Sequence, residues 1–262
     1  MPLTPDRFAA ATRWFQDHIA ANHRVPELLA DFPEATPEDG YRLQLAQIDQ
    51  RVAKGERIIG YKVALTSKPM QAFFGVNEPC AGVLTSNGLV TSGRVSVGNW
   101  VQANVEPEIA FLLRKPLEGP HVTVFDVMNA TEGVLAALEI GHLRAGVEKR
   151  SMATFVGLNT LNAGVVLGDR LVDARGLDLR LEGMCLEIDG EPAGSGCGVE
   201  ALGDPRAVVV WIANHFARYE RRLEAGTFII TGSLVQGPLM QPGWTVRARY
   251  TNLGEVGVRF VE

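Results

Sequence analysis

The chain has 262 residues, 46% hydrophobic and 21% charged, an ordinary globular composition with enough length for a sizeable core. Its formal net charge of -5 argues against partners such as nucleic acid or an anionic membrane. The three cysteines, Cys80, Cys185 and Cys197, form no CxxC pair, which suits a reducing cytoplasm better than a disulfide framework. Charges at Asp6, Arg7, Arg13 and Asp17 speak against a secretory signal, and no apolar run approaches a membrane span.

Residues 4–23 carry Phe8, Phe15 and Ile19 near helical spacing. Thr36-Pro37-Glu38-Asp39 is a helix start, with Thr as N-cap, Pro at the first position and acids in the first turn, and Gly55 ends that helix. Residues 1–55 therefore read as a helical region and 56–262 as a mostly stranded domain. Arg57–Leu65 reads as a strand with Lys62 on a face of small neighbours, where it either meets a ligand or snorkels to water. A short helix over 68–74, closed by Gly75, and a loop returning to a strand at Leu84 follow. Val101–Lys115 alternates strictly: Val105, Pro107 and Ile109 face one way, Asn104, Glu106 and Glu108 the other. Residues 121–130 read as a short helix, 134–140 as an apolar strand interrupted by Glu139, 151–156 as one or two helical turns, and 159–168 as polar amides beside a strand. A hairpin spans 184–197 around Asp189-Gly190. Asp204-Pro205 caps a helix over 205–223, a short strand covers 228–231, and a last hairpin turns at Asn252-Leu253-Gly254. About ten strands without regular βα alternation predict an α+β fold, its sheet mixed or antiparallel and folded into a roll or barrel.

Two glutamates side by side on one strand face repel, and that cost rises with burial; a divalent cation between them reverses its sign. A solvated sheet face is the alternative. Glu139 is a third carboxylate with a burial problem of its own. Three carboxylates form a hard oxygen donor set suited to Mg²⁺ or Mn²⁺, whereas no Cys/His cluster has zinc spacing. There is no P-loop, no GxGxxG and no GxSxG elbow, and Gly194–Gly198 reads as a flexible turn that opens no helix.

These motifs carry a resemblance. The runs Gly60–Leu84, VEPEIAFLL (Val105–Leu113), ALEI (Ala137–Ile140), NTLNAGVVLG (Asn159–Gly168), TGSL (Thr231–Leu234) and LGEVGVRF (Leu253–Phe260) resemble, in order, those of the 2-oxopent-4-enoate hydratase and 4-oxalocrotonate decarboxylase family of the fumarylacetoacetate hydrolase superfamily. The resemblance spans most of the chain. It implies that superfamily's mixed β-roll with an N-terminal helical region, in a cytoplasmic homo-oligomer of aromatic catabolism. It implies Mg²⁺ or Mn²⁺ on Glu106, Glu108 and Glu139, and Lys62 as an acid/base or substrate-binding group. It puts Asn159 in a polar loop and the stretch holding Thr231 and Ser233 near the substrate carboxylate.

The chain also departs from the family pattern. Cys80, His142 and Leu158 stand where acids are expected, and Leu161-Asn162 replace small polar residues. Cys80, Asn159, Asn162, Thr231 and Ser233 are read as substrate-pocket residues and His142 as a second base, with plain packing the alternative for Cys80 and His142. A Lys62 desolvated beside a cation would have a lowered pKa. The resemblance implies a metal-dependent lyase for a 2-oxo or 2-hydroxy-enol acid, hydratase or decarboxylase. Alternatives are an acylpyruvate hydrolase, a non-catalytic member that binds a ligand or stabilises a partner pathway enzyme, and a lyase whose less acidic pocket takes a changed substrate.

Overall fold

The computed structural model describes residues 2–146 and 148–262. Three helices open the chain: α1 (Pro5–Ala20), α2 (Leu28–Asp31) and α3 (Pro37–Ala53). Thr36 and Asp39 form a reciprocal capping box at α3, with Pro37 in the first turn, as the sequence predicts. Their apolar faces meet in a cluster of their own, with Phe15, Leu28, Phe32 and Leu43 packed against Ala145, Ala153 and Leu158 from later in the chain.

The rest is two sheets with short helices between them. The strands are β1 (Ile58–Ala64), β2 (Cys80–Thr85), β3 (Arg94–Ser96), β4 (Ala103–Leu113), β5 (Thr131–His142), β6 (Asn162–Leu167), β7 (Gly183–Ile188), β8 (Glu191–Cys197), β9 (Phe228–Ile230), β10 (Leu239–Met240), β11 (Thr245–Tyr250) and β12 (Gly254–Val261). The remaining helices are α4 (Lys68–Phe74), α5 (Val124–Ala130), α6 (Met152–Gly157) and α7 (Pro205–Ala217). The two strands without a counterpart in the sequence reading, β3 and β10, are three and two residues long, too short for alternation to register. Gly194–Cys197 is not a free turn. It is the second half of β8, paired with β7, and a Cβ at Gly196 would lie 2.0 Å from the Leu234 carbonyl oxygen. Helix α7 stops at Ala217, short of the expected 223, and Glu220 enters the left-handed region just before Leu223 bridges to Leu117.

The larger sheet runs β2-β1-β9-β4-β5-β6, with β10 beside β4; the smaller runs β3-β12-β11-β7-β8. The larger sheet curls until its edges meet: Leu89, just past β2, bridges in parallel to Val165 of β6. Leu84, Ala110, Leu135, Ala137, Val165 and Ile230, drawn from five strands, converge in one small cluster, which identifies the inside of the roll. The outside faces the main core, where Tyr61, Val63, Val105, Ile109, Phe111, Leu138 and Ile140 pack with Phe216 of α7 and Val246, Ala248 and Phe260 of the smaller sheet. Burial of this face is what anchors the alternation of β4 and hence its register. Among the described residues, no helix is long and apolar enough to cross a membrane.

Close approach of β1 to β9 depends on Gly60, where a Cβ would lie 2.1 Å from the Phe228 carbonyl oxygen. Backbone cannot yield as a side chain would, so Gly60→Ala is expected to lower the unfolding free energy by at least about 2 kcal/mol in urea titrations. A loss within about 0.5 kcal/mol would contradict the pairing described.

Candidate metal centre

Strand register brings the carboxylates together. Glu106 of β4 lies directly opposite Glu139 of β5, and Glu108 is the next residue on that face, which looks into the roll. One oxygen of each carboxylate lies within 4.8 Å of the other two. Glu108 and Glu139 are almost wholly buried, while Glu106 keeps partial exposure at the mouth. Burial, then the charge of Glu139, push the Glu106 carboxyl above the usual carboxylate range. The same causes, with Glu106 added, push Glu108 well above it.

Each carboxylate has one oxygen held by a donor. Glu106 Oε1 accepts from Asn104 Nδ2 at 2.8 Å, and Glu108 Oε2 from the Gly232 N–H at 2.6 Å. Glu139 Oε1 accepts from Asn162 Nδ2 at 3.0 Å and pairs with Lys62 Nζ at 3.1 Å. Glu108 Oε1 and Glu139 Oε2 are buried without a hydrogen-bond partner. Buried orphans of this kind call for an explanation, and a cation shared by the three carboxylates would satisfy both. An all-oxygen set of three carboxylates fits a hard divalent ion with room left for water or a chelating ligand.

Lys62 projects inward from β1 opposite Gly82 of β2, where a Cβ would come within 3.0 Å of its Cγ. It is 2% exposed, so it does not snorkel. Burial by itself pushes its ammonium down, but Glu139, then Glu106 and Glu108, outweigh this and hold it above the ordinary lysine value. The lowered value expected beside a cation is therefore not what this carboxylate cluster alone produces. Its other contact is the Thr160 carbonyl at 3.4 Å.

The remaining sequence candidates separate. Cys80 pairs with Ala64 on the inner face, two residues along from Lys62, and burial pushes its thiol up to about 12, so it is neutral. Asn162 reaches the cluster through Glu139. His142 does not reach it. Lying three residues after Glu139, it points to the opposite face, where Nε2 accepts from the Val101 N–H at 3.0 Å and the ring stacks on Trp100 at 4.5 Å. Burial, then the charge of Arg144, push its pKa down to about 4, so the ring is neutral at pH 7. The Asn159 amide is engaged on both sides by Val83, accepting from its N–H at 2.8 Å and donating to its carbonyl at 2.9 Å. Thr231 donates to the Ile109 carbonyl at 3.0 Å and Ser233 to the Val235 carbonyl at 2.6 Å. In that loop the group that reaches a carboxylate is the Gly232 N–H, with Gly232 at φ +93 and a Cβ there only 2.4 Å from Thr66 Oγ1.

Three contributors escaped the sequence reading. Asn104 was visible on the glutamate face by alternation, but nothing marked it as a donor. Thr160 and Gly232 act through backbone atoms, which no side-chain pattern announces.

A roll with an all-carboxylate cluster on its inner face, beside a buried lysine, has the donor set of a hard-cation site. The chain is 35% identical over 245 residues to the 2-oxo-hept-4-ene-1,7-dioate hydratase of Escherichia coli, covering 91% of this chain and 92% of that one. It is 30% identical over 260 residues to the 4-oxalocrotonate decarboxylase of Pseudomonas sp. strain CF600, covering 99% and 98%. The solved structure of 4-oxalocrotonate decarboxylase from Pseudomonas putida G7, complexed with magnesium and adipate, matches with a TM-score of 0.94 at 30% identity over 99% of both chains. No family model matches the chain. The chain belongs to the 2-oxopent-4-enoate hydratase and 4-oxalocrotonate decarboxylase family of the fumarylacetoacetate hydrolase superfamily.

The raised carboxyls of Glu106 and Glu108 set a pH dependence. Between the unfolded and folded values the folded state binds more protons, so the metal-free protein loses stability as pH rises through that window. A cation binds the deprotonated form and opposes the loss. The rise in melting temperature caused by excess Mg²⁺ is therefore expected to be small near pH 5 and larger near pH 8, by differential scanning fluorimetry; a rise independent of pH would contradict the site.

Proposed function

We propose that this protein is a divalent-metal-dependent lyase acting on a 2-hydroxydienoate or 2-oxo-enoic acid, of the hydratase type. The observation that carries the reading is the pair of orphaned oxygens on Glu108 and Glu139, with Lys62 at 3.1 Å, in a chain whose relatives are hydratases and decarboxylases. Glu106, Glu108 and Glu139 would hold Mg²⁺ or Mn²⁺. Bound there, the cation supplies Lewis-acid stabilisation for negative charge on a substrate's carboxylate and 2-oxygen. Lys62, buried and charged beside Glu139, is the chain's proton-transfer group at the inner wall: its Nζ protonates the dienol carbon as the enol O–H proton leaves to solvent, its neutral amine then accepts one proton of the water whose oxygen adds to the enone, and it passes that proton to the α-carbon of the resulting enolate before recovering its own from solvent. Asn162 and the Gly232 N–H orient Glu139 and Glu108, and Asn104 orients Glu106. The buried inner wall of the roll excludes bulk water behind them.

Decarboxylation is the second reading, favoured by Cys80. A neutral thiol on the Lys62 side supplies no carboxylate to activate water, and loss of a distal carboxylate as CO₂ needs none. The substrate in either case is a small organic acid. The three cysteines, none in a disulfide, support a cytoplasmic setting, and a homo-oligomer is our reading of the assembly.

Two variants test this. Glu108→Ala is expected to abolish Mg²⁺ and Mn²⁺ binding by calorimetry. Lys62→Met is expected to keep cation binding and lose about 10²- to 10⁴-fold in kcat, followed as ultraviolet loss of a 2-hydroxydienoate or oxo-enedioate. Release of CO₂ distinguishes the decarboxylase. A wild-type protein that binds neither ion in the presence of these acids would overturn both readings.

A further inference from the structure

Strand β2 is an edge of the larger sheet, and an edge strand leaves alternate backbone groups without a neighbouring strand. Here they are taken by side chains. The Tyr41 hydroxyl accepts from the Ala81 N–H at 3.1 Å, and Gln44 Nε2 donates to the Ala81 carbonyl at 2.9 Å. The Asn159 amide takes both groups of Val83 and so occupies the place of a neighbouring strand.

Asn159 opens a turn of unusual backbone. Asn159, Thr160 and Leu161 have φ of 53, 50 and 63, three consecutive left-handed residues with no glycine among them. Such a turn persists only where its surroundings hold it. On its N-terminal side, Gln44 and Gln47 of α3 donate to the Val156 and Gly157 carbonyls at 3.0 Å each, and Leu158 sits in the N-terminal hydrophobic cluster. On its far side lies the site: the Thr160 carbonyl accepts from Lys62 Nζ, and Asn162 Nδ2 donates to Glu139 Oε1. Gly82, between Ala81 and Val83, leaves the space for this contact, since a Cβ there would lie 2.6 Å from Thr160 Oγ1 and 3.0 Å from Lys62 Cγ.

We propose that Asn159 is a positioning residue: by replacing a strand at the β2 edge it locks the left-handed turn whose Thr160 carbonyl holds Lys62 and whose Asn162 holds Glu139. Asn159 touches no reacting atom in this scheme. Its amide reads backbone on one side so that the turn can present two groups on the other, and the N-terminal helices contribute to the site through the same turn.

The proposal rests on Lys62 being the proton-transfer group, and its test separates the two ideas. Asn159→Ala removes both bonds to Val83. Asn159→Asp keeps acceptance from the Val83 N–H but cannot donate to the carbonyl. Both are compared with wild type at a temperature where circular dichroism shows each folded. Lys62 exposure is read without turnover, as its rate of acetylation by acetic anhydride measured by mass spectrometry, with surface-exposed Lys54 and Lys115 as internal references. Kinetics with a 2-hydroxydienoate and Mg²⁺ supply kcat and KM. Asn159→Ala is expected to raise Lys62 acetylation at least fivefold and to lower kcat by about 10- to 100-fold, with KM within threefold, as misplacing a catalytic group by about 1 Å would. Asn159→Asp should move both in the same direction, and it carries the test if the alanine variant fails to fold. Wild-type acetylation and kcat in a folded variant would overturn the proposal. So would increased Lys62 labelling that appears only together with amide exchange in β4, since that is global opening. If wild type itself turns over no enol acid, the functional reading falls, and the acetylation rates alone decide the positioning role.

Discussion

The antiparallel register of β4 against β5 sets Glu106 opposite Glu139 with Glu108 beside them. Three carboxylates this close and this deep are repulsive by themselves, and the structure surrounding them meets that repulsion from several directions. The apolar outer face of β4 and β5, sealed by α7 and the smaller sheet, holds the strands in place however unfavourable the inner face is. Tyr250 of β11 donates to the Glu108 carbonyl at 2.8 Å, so the smaller sheet braces the backbone from behind the carboxylate face. On the inner face each carboxylate has one oxygen that accepts a hydrogen bond, and Glu108 and Glu139 each keep a buried oxygen without a partner. Without a cation, such a cluster costs the fold stability.

The departures from the family pattern look alike in sequence and differ in space. Of the three positions where the resemblance leads one to expect an acid, only Cys80 lies on the face that carries Lys62. His142 belongs to the outer face of the roll, stacked on Trp100. Leu158 is 6% exposed within the N-terminal cluster, packed near Phe15 and Leu43. A uniformly less acidic pocket is therefore not what the replacements produce. Of the three, only the Cys80 thiol, neutral because it is buried, stands beside the lysine.

Much of the centre was legible in the sequence, because strand alternation is a short-range property. The face shared by Glu106 and Glu108, the small neighbours of Lys62, and the capping of α3 and α7 all followed from local spacing. The roles of Asn159, Thr231 and Ser233 did not. A polar side chain near a site is equally able to face a ligand or backbone, and only the approach of β2, Ile109 and Val235 decides which. His142 could have been placed from the sequence, since alternation already put it on the other face from Glu139; its proximity in the chain argued the opposite.

What the sequence determined by itself was the content of each strand face, its carboxylates included, since this depends on the two-residue repeat of an extended backbone. Only the tertiary structure decided the partnership. Opposition of Glu106 to Glu139, the 3.1 Å approach of Lys62 and the left-handed turn that supports it join residues from β1, β4, β5 and the segment before β6. Those distances come from the curl of a sheet whose edge strands meet, and curl is set by the packing of a whole core rather than by any one stretch of chain.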